Sequence, residues 1–218
     1  MKLLLTSDGI TNPSIAKALF GLIGKKPEET SLAFIPTAVN VAKGDKGWFV
    51  EALHQLHGLG LKYLDIVDIS AMPKNIWLPR LESADVLFFC GGNSSHLMRW
   101  IKESGLRKIL PNLLEKKVYA SLSAGSTITA PDLALSKKEH RTEYANSFGY
   151  NSEDALNLVD FYTQSHLNSP NYPERTEEKL KELAKNFKGT IYALDYNSAL
   201  KVTDGKVEII SEGKYLKL

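Results

Sequence analysis

Short, nearly continuous runs of Leu, Ile, Val and Phe alternate along the chain with segments whose apolar residues recur every three to four positions. Runs of that kind are what strands buried on both faces look like, and helices between them supply the cover. The pattern therefore predicts an α/β fold, a mostly parallel sheet with helices on both faces. The predicted strands are Lys2–Ser7, Leu32–Pro36, Leu61–Val67, Asp85–Cys90 and Val118–Leu122. Helical spacing is clearest at Trp48, Phe49, Ala52, Leu53 and Leu56, which form one apolar stripe before Gly58 stops the helix. A second amphipathic helix is expected over Tyr172–Phe187, with Leu180, Leu183, Ala184 and Phe187 facing inward and Glu177, Glu178, Lys179, Lys181 and Glu182 largely outward. After a strand at Thr190–Leu194, the segments Ala199–Thr203 and Val207–Ser211 are joined by Asp204-Gly205, a dipeptide suited to a type I′ turn, so a C-terminal antiparallel hairpin is expected. The polar stretch Lys137–Asp154 reads as a surface excursion, and such loops at the carboxyl ends of strands are where α/β folds bind ligands. No repeat or change of composition marks a linker, so a single domain is expected over residues 1–218.

Composition narrows the chemistry. With 218 residues, 43% of them hydrophobic, the chain is long enough to bury a core without disulfides or metals. Its lone cysteine, Cys90, fits a reducing compartment, and the run Leu3-Leu4-Leu5 is cut off by Asp8, well short of a leader or a membrane span. A cytoplasmic location is the expectation. The 27 Lys and Arg nearly balance the 25 Asp and Glu, for a net charge of +2, and the two signs are interspersed. That leaves no electrostatic footprint for nucleic acid or a membrane surface, so small-molecule or peptide chemistry is expected. The glycine spacings of dinucleotide and phosphate-binding loops do not occur, so no nucleotide cofactor is expected.

The strongest local signal is Val118-Tyr119-Ala120-Ser121-Leu122-Ser123-Ala124-Gly125-Ser126, a buried strand running into small residues and then a helix. A serine at such an elbow sits on a sharp turn with its hydroxyl exposed at the top of the sheet, which makes Ser123 the candidate nucleophile. The pattern is Ser-x-Ser-x-Gly, with a small residue where the usual elbow has glycine. A serine needs a base to take its proton. Of five histidines, His54 and His57 belong to the Trp48 helix, His96 to the first turn of another, and His140 to the polar excursion. His166 follows an apolar run and precedes Asn168-Ser169-Pro170, the position of a strand end, and is the candidate base. Two glycines after a buried strand, in Phe88-Phe89-Cys90-Gly91-Gly92-Asn93, offer backbone amides to an oxyanion.

Cys90-Gly91-Gly92-Asn93, then Ser121-Leu122-Ser123-Ala124-Gly125, then Ser165-His166, in that order, resemble the dipeptidase E (α-aspartyl dipeptidase) family of serine peptidases, the group that includes cyanophycinase. The likeness runs from Leu3 through Phe34-Ile35-Pro36-Thr37 to Asn197-Ser198-Ala199-Leu200. The resemblance implies a flavodoxin-like fold akin to class I glutamine amidotransferases. It also implies Ser123 as nucleophile, His166 as base, oxyanion-hole amides from Gly92 and Ala124, and no cofactor. Arg175 matches the family arginine that meets an acidic substrate side chain. The acid that orients the histidine stays open: the matching position holds Tyr196, Asp195 is one residue earlier, and Asp132 and Glu139 follow the nucleophile, with Asp195 slightly ahead. The expected activity is that of a serine exopeptidase on dipeptides or small amides, with N-terminal Asp preferred. The alternative is a catalytically weak relative that binds a small amino-acid-like ligand in the same pocket. An amidotransferase-like glutaminase is disfavoured because serine, not cysteine, stands at the elbow. The oligomeric state is left between monomer and homodimer.

Overall fold

The computed structural model describes residues 1–218. In chain order the elements are β1 (Lys2–Thr6), α1 (Pro13–Ile23), β2 (Ser31–Ile35), α2 (Gly47–Gly58), β3 (Tyr63–Ile66), α3 (Lys74–Ser83), β4 (Val86–Phe89), α4 (Ser94–Glu103), α5 (Leu106–Leu114), β5 (Val118–Leu122), α6 (Ala124–Thr127), α7 (Lys138–Phe148), β6 (Phe161–Gln164), α8 (Glu177–Ala184), β7 (Thr190–Leu194), β8 (Ser198–Thr203), β9 (Lys206–Ser211) and β10 (Tyr215–Lys217).

Seven strands form one sheet in the order β3-β2-β4-β5-β1-β8-β9. The first five in that row are parallel, and β8 and β9 close one edge antiparallel, as the hairpin reading requires. Both residues of the Asp204-Gly205 turn have positive φ (49° and 80°), the backbone of a type I′ turn. Alternate side chains of the apolar strands go to opposite faces and so build two cores. Leu3, Leu5, Ala33, Ile35, Leu87, Phe89 and Tyr119 join the larger one, with α3, α4 and α5. Leu4, Leu32, Phe34, Val86, Phe88, Val118 and Ala120 join the other, with α1 and α2. Continuous apolar strands are thus a consequence of helices on both faces.

Three elements differ from expectation. The strand Thr190–Leu194 leaves the main sheet and lies in a second sheet, order β10-β7-β6, parallel to β6 and antiparallel to β10. The chain therefore ends in β10, not in the hairpin. The second amphipathic helix starts at Glu177, where the Thr176 side chain accepts the Lys179 N–H and caps it; Tyr172–Arg175 form a turn ahead of it. The polar excursion contains a helix, α7, whose only buried residue is Tyr144, so no apolar stripe announces it.

Candidate active site

The carboxyl ends of β1, β4, β5 and β6 converge on one cleft. Ser123 directly follows β5 with φ 47° and ψ −106°, a conformation that a non-glycine residue holds only when its surroundings impose it. They do so from β1. The Thr6 carbonyl accepts both the Ser123 N–H (3.1 Å) and the Ser126 hydroxyl (2.7 Å), which ties the elbow to the neighbouring strand β1. Gly125 lets the turn lie against β4, since a Cβ there would meet the Phe89 carbonyl oxygen at 2.3 Å.

Ser123 Oγ lies 2.9 Å from His166 Nε2. His166, two residues beyond β6, is itself left-handed (φ 65°), and its N–H donates to Ser7 Oγ at 2.9 Å. Of the five histidines, only His166 meets the serine. His54 and His57 are exposed on α2, His96 Nδ1 is hydrogen-bonded to Tyr144 OH (2.8 Å), and His140 lines the far wall of the cleft. His140 is held below the usual histidine range by burial and then by Lys137, with Arg175 adding to the effect.

The carboxylate facing the other imidazole nitrogen is Asp8, with Oδ1 3.1 Å from His166 Nδ1. Its second oxygen accepts the Ser7 hydroxyl. This corrects the expectation for Asp195. The Asp195 carboxylate is used up in a turn, where it accepts from Ser198 Oγ (2.6 Å), Asn197 N–H (3.0 Å) and Lys214 N–H (2.6 Å). Neither alternative reaches the histidine: Asp132 accepts from Tyr162 OH (3.1 Å) and Ala134 N–H (2.8 Å), and Glu139 is exposed in the first turn of α7. Tyr196, at the position matched to the family acid, is half exposed and accepts from Gln55. Asp8 was visible in the sequence only as the residue ending a leucine run. The signal that finds it is topological, since β1 lies beside β5 and the residues just past β1 stand next to the elbow.

The cleft above Ser123 is lined by Gly92, Asn93, Ala124, Thr127, Tyr172 and Arg175, with Lys137, His140 and Arg141 on the α7 side. Gly92 has φ 130° and packs so closely on the preceding loop that a Cβ would meet the Ala38 carbonyl oxygen at 2.2 Å, so only glycine fits. Its N–H has no acceptor in the protein, and the Ala124 N–H, at the start of α6, has none within its helix. Both residues line the cleft together with Ser123. Arg175 is largely buried, and burial lowers its pKa; Nη1 donates to the Ser165 carbonyl at 3.0 Å. Glu174 pairs with Lys137 (3.4 Å) and Glu153 with Arg141 (3.0 Å) at the edge of the cleft. Nowhere in the structure do three or more His, Cys, Asp or Glu side chains gather as metal ligands.

The sequence profile of peptidase family S51 matches residues 3–210, nearly the whole chain. The chain belongs to peptidase family S51. As a member of S51 it is a serine peptidase, a hydrolase. An uncharacterized peptidase of Listeria monocytogenes is 33% identical over 180 residues, covering 81% of this chain and 84% of the relative. Peptidase E of Streptomyces coelicolor is 27% identical over 220 residues, 93% of this chain and 81% of that protein. The fold is also that of solved structures. A candidate peptidase E protein from Listeria monocytogenes EGD-e superposes with a TM-score of 0.79 at 24% identity, covering 97% of this chain and 98% of its own. A peptidase from an acI-B1 Actinobacterium gives a TM-score of 0.66 at 19% identity, over 100% of this chain and 93% of its own.

Proposed function

We propose that this S51 peptidase is a dipeptidase that works through an acyl-enzyme on Ser123, with His166 as base, Asp8 as the orienting acid, and the amides of Gly92 and Ala124 as oxyanion hole. The observation that carries the reading is the unbroken chain Ser123 Oγ, His166 Nε2, His166 Nδ1, Asp8 Oδ1, with separations of 2.9 Å and 3.1 Å at its two joints. In the first half-reaction Oγ attacks the scissile carbonyl carbon while its proton passes to Nε2. The carbonyl oxygen takes the negative charge and faces the two amides. The tetrahedral intermediate then collapses, Nε2 returns the proton to the leaving amine, and an ester on Ser123 remains. Water repeats the sequence, giving its proton to Nε2, and releases the acid and the free hydroxyl. Asp8 fixes the imidazole tautomer with its proton on Nδ1 and favours the imidazolium that forms.

For the substrate we propose a dipeptide with an N-terminal acidic residue. The support is Arg175, which lines the cleft with Lys137 and Arg141: Glu174 pairs with Lys137 (3.4 Å) and Glu153 with Arg141 (3.0 Å), whereas Arg175 stands 3.9 Å from Glu174 and is the cation left for an incoming carboxylate. A partly buried guanidinium engages a carboxylate strongly, often through two hydrogen bonds. Steady-state hydrolysis of Asp-Leu, Asn-Leu and Leu-Leu by the parent and by Arg175→Ala tests this. Asp-Leu should be cleaved fastest, and Arg175→Ala should erase the difference while retaining slow turnover of the neutral peptides. Equal rates on all three peptides by the parent overturn the acidic preference.

A further inference from the structure

The ring of Tyr172 lies flat on the imidazole of His166, with centroids 4.4 Å apart and planes 4° from parallel. The Arg175 guanidinium packs on the same ring, its Cζ 4.3 Å from the centroid. All three side chains come from one segment, residues 166–175, that is closed on itself by main-chain hydrogen bonds. Ser169 N–H donates to the His166 carbonyl (3.1 Å), Tyr172 N–H to Ser169 (3.0 Å), Arg175 N–H to Tyr172 (2.8 Å) and Asn168 N–H to Arg175 (2.9 Å). This turn takes the place of the first part of the expected helix, and it begins at the left-handed His166.

Hydrogen bonds at the two edge nitrogens of an imidazole set where those edges point, but they resist poorly a roll of the ring about the line joining them. Such a roll leaves Nε2 in place but turns its lone pair away from the serine O–H and degrades the angle of the hydrogen bond. A flat surface against the ring face supplies the missing restraint. An aromatic face does more, because its quadrupole attracts a cation stacked on it, and the imidazole becomes a cation when it takes the serine proton. Tyr172 offers His166 its ring face, not its hydroxyl.

We propose that Tyr172 is a positioning residue for the base: its ring, held in turn by Arg175, keeps the His166 imidazole in the plane that joins Asp8 to Ser123. The proposal rests on the reading of Ser123 and His166 given above, and its test separates the two. The probe is a small uncharged alkyl fluorophosphonate, chosen so that recognition by Arg175 plays no part. Ser123 Oγ attacks phosphorus, fluoride leaves, and the hydroxyl proton passes to His166, so the maximal labelling rate reports activation of the serine without recognition by Arg175. Tyr172→Phe should label within about twofold of the parent, whereas Tyr172→Leu should lose on the order of tenfold to a hundredfold in maximal rate with its half-saturating reagent concentration unchanged. Thermal melting checks that each variant is folded, and Tyr172→Met replaces Tyr172→Leu if the latter is not. Parental rates in the folded Leu or Met variant overturn the proposal, as does an equal loss in Tyr172→Phe, which would move the role to the hydroxyl. Failure of the parent itself to label at Ser123 overturns the underlying site reading instead.

Discussion

A serine hydroxyl gives up its proton to a neutral imidazole only if the resulting cation is stabilised, and the group at hand for that is Asp8, 3.1 Å from His166 Nδ1. Asp8→Asn keeps the shape but presents a donor or a neutral oxygen to Nδ1, so the wrong tautomer places a proton between Nε2 and Ser123. Dipeptide hydrolysis should fall by roughly 10³- to 10⁴-fold in kcat. Asp195→Asn is the control that separates Asp8 from the acid expected by resemblance. It weakens a turn held by three donors, so it should lower the melting temperature and leave kcat near the parent's. A large loss of kcat in Asp195→Asn together with parental rates in Asp8→Asn would reverse the assignment. Ser123 and His166 were legible as residues because each carries a local signature, small residues after a strand and a histidine past a strand end. Asp8 carries none. Its partner lies 158 positions on in the numbering (166 − 8); the pairing of β1 with β5 sets Asp8 beside the Ser123 elbow, and the hydrogen bond from the His166 N–H to Ser7 Oγ brings the histidine alongside.

Among the elements, the elbow shows most clearly how sequence becomes geometry. A non-glycine residue at φ 47° costs on the order of 1–3 kcal/mol, and here the cost is offset by hydrogen bonds to Thr6 and by the close approach of Gly125 to β4. Gly125→Ala inserts a methyl group 2.3 Å from the Phe89 carbonyl oxygen, so the elbow must shift or β4 must move. The expected outcome is a melting temperature several degrees lower and a kcat loss of about tenfold or more, since displacements near 1 Å at a reacting group are that costly. A variant with parental melting and turnover would show that the close approach does not set the serine's position. Strand and helix identities were readable where periodicity was strong, as in the strands of the main sheet and α2. They were not where an element lacks an apolar stripe: α7 buries only Tyr144, and the Tyr172–Arg175 turn was absorbed into a helix because Pro173 is tolerated in a first helical turn and Glu174 and Arg175 are helix formers. Periodicity reports which face is buried, and a helix with almost no buried face leaves little to read.

At the scale of the molecule, the alternation of strand side chains between two cores explains why the fold class was legible from apolar runs alone, whereas the destination of β7 was not. A strand's run of apolar residues says that it is buried, not which sheet takes it. The arrangement also isolates Cys90. It directly follows β4 inside the core shared with α1 and α2, fully buried, and burial pushes its thiol well above the usual range. A thiol that stays protonated and inaccessible is a poor nucleophile, so the native protein should not react with a soluble disulfide reagent at neutral pH and should keep its activity in it. One equivalent should react after denaturation. Rapid inactivation by such a reagent would give Cys90 a part in the chemistry that a serine mechanism does not allow. The claim that matters most is that the hydroxyl of Ser123 is activated by this structure. Intact-mass measurement after brief exposure to a serine-directed fluorophosphonate tests it most directly. One adduct per chain is expected, located on the peptide containing Ser123, absent from Ser123→Ala and strongly slowed in His166→Ala. An adduct of equal yield in Ser123→Ala, or none on the folded parent, would contradict it.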